Sequence, residues 1–326
     1  PGACRIRGAR VTHAAAAPQP GGRSVSLVLG AGGARGLAHV GAIEVLVERG
    51  YRIELIAGSS MGALVGGIHA AGKLAAYRDW ALTLQKLDVL KLVDWTLTGG
   101  GFIKGDRVIG ALRELVGEVH IEALPIAYTA VATDLEREQE VWISRGPLFA
   151  AIQASISIPG LFLPQALGGR LLVDGGLLNP LPIAPALHAM TDMTIAVDVN
   201  GPVRRLPAAA IAPPAPSAAP PSGYAQRMAA LFEGLIEARE ERPAEPGWRD
   251  LMSRSLETMQ RQLTRFHLSV HEPDLLIRIP RNACAFYEFH RAAELIAIGR
   301  DRATRALDRF EQKSTRDGEH GTVSNL

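Results

Sequence analysis

The stretch Ala57-Gly58-Ser59-Ser60-Met61-Gly62 constrains the fold of this chain more than any other. A short apolar segment, Leu55 to Ala57, enters it, and an apolar run of small residues, Ala63 to Ala71, leaves it. That is the order of a strand, a sharp turn and a helix. The G-x-S-x-G frame puts Ser60 at the tip of the turn, where the backbone needs strained dihedrals and little bulk on either side. A serine so placed projects its hydroxyl away from the sheet, over helix amides that have no intrahelical partner and favour negative charge. Two readings follow: a nucleophilic serine with part of an oxyanion hole built in, or a glycine-rich turn ahead of a tightly packed helix. The pentapeptide recurs by chance and does not separate them.

The 326 residues, 47% of them hydrophobic, suffice for one large domain or two modest ones with a real core. A net charge of +2 gives no global basic field, so the composition argues against a nucleic-acid partner. Cys4 and Cys284 are the only cysteines, too few for a disulfide framework or a structural zinc site, which fits a reducing compartment. Leu55 to Gly72 carries no formal charge and approaches the length of a membrane span. Its five glycines, its two adjacent serines and His69 favour a buried turn and helix instead. No segment has the pattern of a signal peptide. The chain opens at Pro1 rather than methionine, which leaves room for an upstream segment.

Residues 1–23 are rich in Ala, Pro, Gly and Arg without apolar periodicity and read as a disordered arm. Ser24 to Leu29 suits a buried strand, followed at once by Gly30-Ala31-Gly32-Gly33-Ala34-Arg35-Gly36 and a helix over Leu37 to Arg49. A glycine-rich strand-to-helix turn exposes successive backbone N–H groups and forms an anion site. A dinucleotide fingerprint counted from Gly30 would need a small residue where Arg35 stands, and no Gly-Lys-Ser/Thr closes a P-loop. An amide-lined oxyanion hole that supplements the Ser60 turn suits this loop better. Helices are expected over Leu74 to Lys91 and Lys104 to Val116, separated by the glycine hinge at 99–101. Strands are expected over Ile126 to Ala132 and Val141 to Ser144, and a helix over Phe149 to Ile158.

Leu171-Leu172-Val173-Asp174-Gly175-Gly176 then delivers a carboxylate from an apolar strand onto a Gly-Gly turn. Such strand ends are where α/β sites gather, and a serine nucleophile needs a base. After a strand at Ile195 to Val199, residues 201–223 form an Ala/Pro-rich linker. Residues 224–266 read as a helical insertion or cap. One amphipathic stripe there is Met228, Leu231, Phe232, Leu235 and Ile236, and another is Met252, Leu256, Met259, Leu263 and Phe266. Packing on the domain or on a partner is the expected role of these stripes, with a membrane-facing cap as the alternative. A strand at Leu275 to Ile279 and a helix over Phe286 to Phe310 close a domain of residues 24–312. The polar tail 313–326 reads as disordered.

Taken in order, five of these stretches resemble the patatin-like phospholipase family, in its bacterial branch related to neuropathy target esterase. They are Gly30 to Gly36 with Leu37-Ala38-His39-Val40-Gly41; Gly58-Ser59-Ser60-Met61-Gly62; Ala132-Thr133-Asp134-Leu135; Ala154-Ser155-Ile156-Ser157-Ile158-Pro159-Gly160 with Phe162 and Pro164; and Val173-Asp174-Gly175-Gly176 through Asn179-Pro180. The resemblance implies a three-layer α/β/α fold with a mostly parallel central sheet. It implies a Ser-Asp dyad, with Ser60 as nucleophile and Asp174 as base. It also implies an oxyanion hole at Gly32, Gly33 and Ala34, with Arg35 ordering that loop and Gly36, Met61, Gly175 and Gly176 in support. Ala31 departs from the family pattern, where many members carry a third consecutive glycine, and is compatible with it if its φ stays negative.

The expected activity is therefore hydrolysis of acyl esters in lipids, of phospholipase A or lysophospholipase type, without metal or organic cofactor. Phospholipid or lysophospholipid would be the partner, at a cytoplasmic location that allows peripheral contact with the inner membrane face. A patatin-fold scaffold acting through its amphipathic helices is the alternative, and a nucleotide enzyme using the Gly30 to Gly36 turn is a third. His188, His267 and His271 follow Asp174 in the order a Ser-Asp-His triad would need. They read more simply as surface or packing residues, and His39 and His69 as structural.

Overall fold

A computed structural model of the chain describes residues 22–85, 106–204 and 248–321. The chain divides into two units, residues 1–205 with 260–326, and residues 206–259. The glycine hinge at 99–101, most of the N-terminal arm, the linker from residue 205 on and the first amphipathic stripe lie outside the described residues.

The first unit is built on one eight-stranded sheet. Strands β1 (Ser24–Leu29), β2 (Arg52–Ser59), β3 (Ala127–Asp134), β7 (Met193–Gly201) and β8 (Leu275–Pro280) run parallel in the order β3-β2-β1-β7-β8. Buried on both faces, they are rich in Val, Ile, Leu and Ala, as parallel strands under helices must be. Leu29 and Ile56 lie against Gly66 of helix α2 (Met61–Ala70). The next residues in register, Val28 and Ala57, face the other way into a cluster with Leu181, Ile183, Ala186 and Ala196, which Leu268 covers. The period-two alternation of a strand thus gives each face its own layer, α2 on one side and the segment around Ala184–His188 on the other. Helix α1 (Ala38–Glu48) crosses the closing helix at two glycines: a Cβ on Gly41 would stand 2.1 Å from the Ile296 carbonyl, and one on Gly299 2.0 Å from that of Ala38.

Three short strands make the antiparallel end. β4 (Gln139–Ile143) pairs with the outer edge of β3, β6 (Arg170–Asp174) with its inner edge, and β5 (Gln165–Leu167) with β6. The inner edge of β3 is shared end to end. β2 occupies it as far as Ser59 opposite Val131, and β6 takes over with Asp174 opposite Ala132, running the other way. The C-terminal ends of β2 and β6 therefore meet head-on.

The remaining helices are α3 (Leu74–Thr83), α4 (Asp106–Val116), α5 (Leu148–Ser155), α6 (Trp248–Val270) and α7 (Ala292–Gly321). α3, α6 and α7 depart most from the sequence reading. α3 ends at Thr83, where Leu84 turns to extended backbone, short of the expected Lys91. α7 starts later than Phe286, because the 3-10 turn Phe289–Arg291 precedes it, and it runs on through a polar stretch to Gly321. In α6, Met259 and Phe266 of the expected stripe are exposed, while Gln260 and Thr264 are buried. Gln260 Nε2 lies against Gly176, Thr264 Oγ1 bonds the Gln260 carbonyl within the helix, and His267 Nε2 meets the carbonyl of Leu178 at 3.1 Å. Among the described residues no helix is long and apolar enough to cross a membrane.

Candidate active site

Ser60 stands between the end of β2 and the start of α2 with φ 54° and ψ −124°, a conformation that costs a non-glycine residue on the order of 1–3 kcal/mol. The flanking glycines hold it there. A Cβ on Gly58 would fall 2.5 Å from the Ala63 nitrogen, and one on Gly62 would fall 2.0 Å from the Leu29 carbonyl oxygen. The strand and helix can approach this closely only without those side chains. The Ser60 backbone N–H donates to Ser155 Oγ at 2.9 Å, and Ser155 Oγ donates in turn to the Val131 carbonyl at 2.6 Å. The last residue of α5 thereby ties the turn to β3.

Asp174 arrives at the end of β6. Its Oδ2 accepts the Ser60 hydroxyl at 2.5 Å, and its Oδ1 accepts the Gly176 N–H at 2.7 Å. Its own N–H donates to the Ser157 carbonyl at 2.9 Å, and Thr133 Oγ1 donates to its carbonyl at 3.1 Å. Gly175 admits no Cβ because the Val131 carbonyl lies 2.1 Å from where it would be. Ser60 and Asp174 are both buried. Burial pushes the Asp174 carboxyl up to about 7, against the opposing effect of its bonds from Ser60 and Gly176. A carboxylate of that basicity is matched to proton transfer near neutral pH.

The glycine loop lies beside them, fixed through its carbonyls. His39 Nε2 meets the Gly30 carbonyl at 2.8 Å, Asn200 Nδ2 donates to that of Ala31 at 2.7 Å, and Arg35 Nε donates to that of Gly32 at 3.3 Å. Arg35 also reaches the Arg281 carbonyl at 3.1 Å. Burial pushes the His39 imidazole down to about 4, so it is neutral and donates from Nε2. In a planar trans peptide the C=O and the following N–H point in opposite directions. Asn200 therefore aims the Gly32 amide and Arg35 the Gly33 amide, and among the described residues neither amide meets an acceptor. Ala34 differs from the sequence expectation. Its N–H donates to the Phe286 carbonyl at 2.8 Å and is not free to receive an oxyanion. Gly33 has φ +56°, and Phe286 fills the place of its Cβ. Gly36 is needed because a Cβ there would meet the Met61 Cβ at 2.4 Å, which packs the loop directly on the serine turn. Ala31 is not among the non-glycine residues with positive φ, so the departure from three glycines costs no strain.

The histidines stay apart from this pair. Both Asp174 oxygens are taken by Ser60 and Gly176, His267 is bonded to Leu178, and His188 lies against Trp142 with ring centroids 6.1 Å apart. Among the described residues no three His, Cys, Asp or Glu side chains come together as a metal set. Sequence reasoning assigned no role to Ser155, Thr133 or Asn200. Ser155 and Thr133 stand in stretches that carried the resemblance, while nothing marks Asn200 beyond its place at the end of a strand.

Comparison with known proteins agrees with this arrangement of elements. The model of the patatin-like phospholipase family matches residues 27–187. An NTE family protein of Mycobacterium bovis and one of Mycobacterium tuberculosis are each 41% identical over 363 residues, covering 95% of this chain and 96% of their own. A more distant relative, the lysophospholipase nte1 of Emericella nidulans, is 32% identical over 194 residues, covering 55% of this chain and 12% of that protein. The chain belongs to the patatin-like phospholipases, among the NTE family proteins.

Proposed function

We propose that the protein is a serine acyl-ester hydrolase acting on lipids, of phospholipase A or lysophospholipase type, working through a dyad of Ser60 and Asp174. The observation that carries this reading is the 2.5 Å bond from the hydroxyl of a strained turn serine to a buried carboxylate held near neutrality. Ser60 Oγ attacks the ester carbonyl as its proton passes to Asp174 Oδ2. The amides of Gly32 and Gly33 receive the oxyanion of the tetrahedral intermediate. Collapse breaks the ester C–O bond, and the departing alcohol takes the proton from Asp174, leaving an acyl-serine. Water then gives a proton to Asp174 and attacks the acyl carbonyl. The second collapse returns that proton to Ser60 and releases the fatty acid.

The lipid character of the substrate is supported by the family and by its relatives' names. Peripheral contact with the inner face of a membrane belongs to the same reading. Release of fatty acid from phosphatidylcholine and lysophosphatidylcholine, compared between wild type and Ser60→Ala, tests it. Wild-type turnover that the substitution abolishes is expected, and turnover that survives it contradicts the dyad.

A further inference from the structure

Helix α6 presents Gln260, Thr264 and His267 on one side, at spacings of four and three residues. His267 fixes this side to the Leu178 carbonyl, just past the Asp174-Gly175-Gly176 turn. One and two turns earlier, the Thr264 hydroxyl bonds within the helix to the Gln260 carbonyl, and the Gln260 side chain reaches the turn itself. Its Nε2 lies 2.8 Å from where a Cβ on Gly176 would stand, a point 2.9 Å from the Ala31 Cβ and 3.0 Å from Asp174 Oδ1. Gln260 is only 9% exposed; its side-chain amide bonds no protein group among the described residues and keeps contact with solvent.

An amide that no protein group engages can trade its water for a ligand oxygen, and its place says which ligand. The amide stands between the turn that holds the carboxylate and the glycine loop, and the absent side chain of Gly176 leaves the space that it occupies. We propose that Gln260 is a substrate-contact residue whose amide hydrogen-bonds an oxygen of the alcohol half of the ester. The acyl half is a hydrocarbon chain beyond its carbonyl and would leave both the donor and the acceptor of the amide unpaired. A glycerol-derived alcohol carries hydroxyl or phosphoryl oxygens close to the scissile bond and would satisfy them. A site built to bond such an oxygen discriminates against an alcohol that lacks it. This inference rests on the hydrolase reading.

The test compares a monoacylglycerol with the p-nitrophenyl ester of the same fatty acid, in wild type, Gln260→Met and Gln260→Glu. Methionine keeps the length of the side chain and removes both polar atoms, while glutamate keeps the shape and removes the donor. Thermal melts and the rate of Ser60 labelling by a fluorophosphonate report whether each variant keeps the fold and the nucleophile. The ratio of kcat/KM for the glycerol ester to that for the aryl ester is expected to fall about tenfold in Gln260→Met, the loss of roughly one hydrogen bond. A fall in the same direction is expected in Gln260→Glu. A ratio within twofold of wild type in both variants overturns the inference and leaves the hydrolase reading standing. A wild type that hydrolyses neither of these esters nor lysophosphatidylcholine overturns the hydrolase reading, and the inference with it; one that hydrolyses lysophosphatidylcholine but not the monoacylglycerol overturns the inference alone.

Discussion

Ser59 faces Val131 and Asp174 faces the next residue, Ala132, along the same edge of β3. Two strands running toward each other thus end at adjacent positions on a third. The hydroxyl of Ser60, one residue past the first strand, falls within 2.5 Å of the carboxylate that ends the second. The rigidity of the pair comes from the sheet, and a loop-borne partner such as a mobile histidine is not needed to complete it.

The pH dependence follows from that burial. Asp174 accepts a proton only when ionised, and its carboxyl is pushed up to about 7. kcat/KM for ester hydrolysis is expected to fall about tenfold per pH unit below that value and to level off above it. Asp174→Asn should lose on the order of 100- to 10,000-fold across the whole range, the usual weight of a general base. A flat profile between pH 5 and 8 in the wild type would contradict the assignment of Asp174 as base.

Stability moves the opposite way with pH. The unfolded chain ionises Asp174 near its ordinary value of 3.8, and the folded chain near 7. The contribution of this group to stability is therefore fully present below about 4 and lost as pH rises through about 7. Asparagine does not titrate. The difference in melting temperature, Asp174→Asn minus wild type, should grow in favour of the variant between pH 4 and pH 8. A difference that stays constant over that range would show that the carboxylate is not desolvated in the folded state.

Ser155 carries no chemistry but holds the turn. Replacing it with alanine removes the acceptor of the Ser60 N–H and the donor to the Val131 carbonyl, both buried. Stability should fall by about 1–3 kcal/mol in denaturant melts. kcat should fall more than KM changes, because the strained turn loses its tether.

Asn200 offers a test of the oxyanion loop that leaves its glycines in place. Asn200→Ala frees the Ala31 carbonyl, and with it the aim of the Gly32 amide. Outright loss of an oxyanion donor costs on the order of 100- to 1,000-fold in kcat. A misaimed donor should cost less, about tenfold, with KM little changed and the rate of fluorophosphonate labelling reduced in parallel. A change confined to KM would place Asn200 on the substrate rather than behind the loop.

Much of this site is legible in local sequence. Gly58 and Gly62 announce the turn of Ser60 because its close approaches admit only glycine at those two places, and Gly175 and Gly176 mark Asp174 in the same way. The parallel strands are legible as apolar runs. What holds the dyad is not, because it arrives from far along the chain. Ser155 lies 95 residues from the amide it accepts, and Asn200 lies 169 from the carbonyl it holds. Neither differs by type or spacing from an ordinary polar residue at the end of an element. The expectation for Ala34 fails for the same reason, since Phe286 supplies a carbonyl that no local pattern reveals. Helix α6 shows the limit of periodicity. Its apolar stripe is the stronger signal, yet burial follows Gln260 and Thr264, with Gln260 set against the side-chain-free Gly176, a tertiary contact that periodicity does not reveal.

The most direct test of the central claim is the intact mass of the protein after treatment with a fluorophosphonate, with Ser60→Ala alongside the wild type. The reagent needs an activated serine and an oxyanion site but no knowledge of the lipid. One adduct on the wild type and none on the variant is the predicted result. An adduct of equal yield on Ser60→Ala, or none on a well-folded wild type, would contradict Ser60 as the nucleophile.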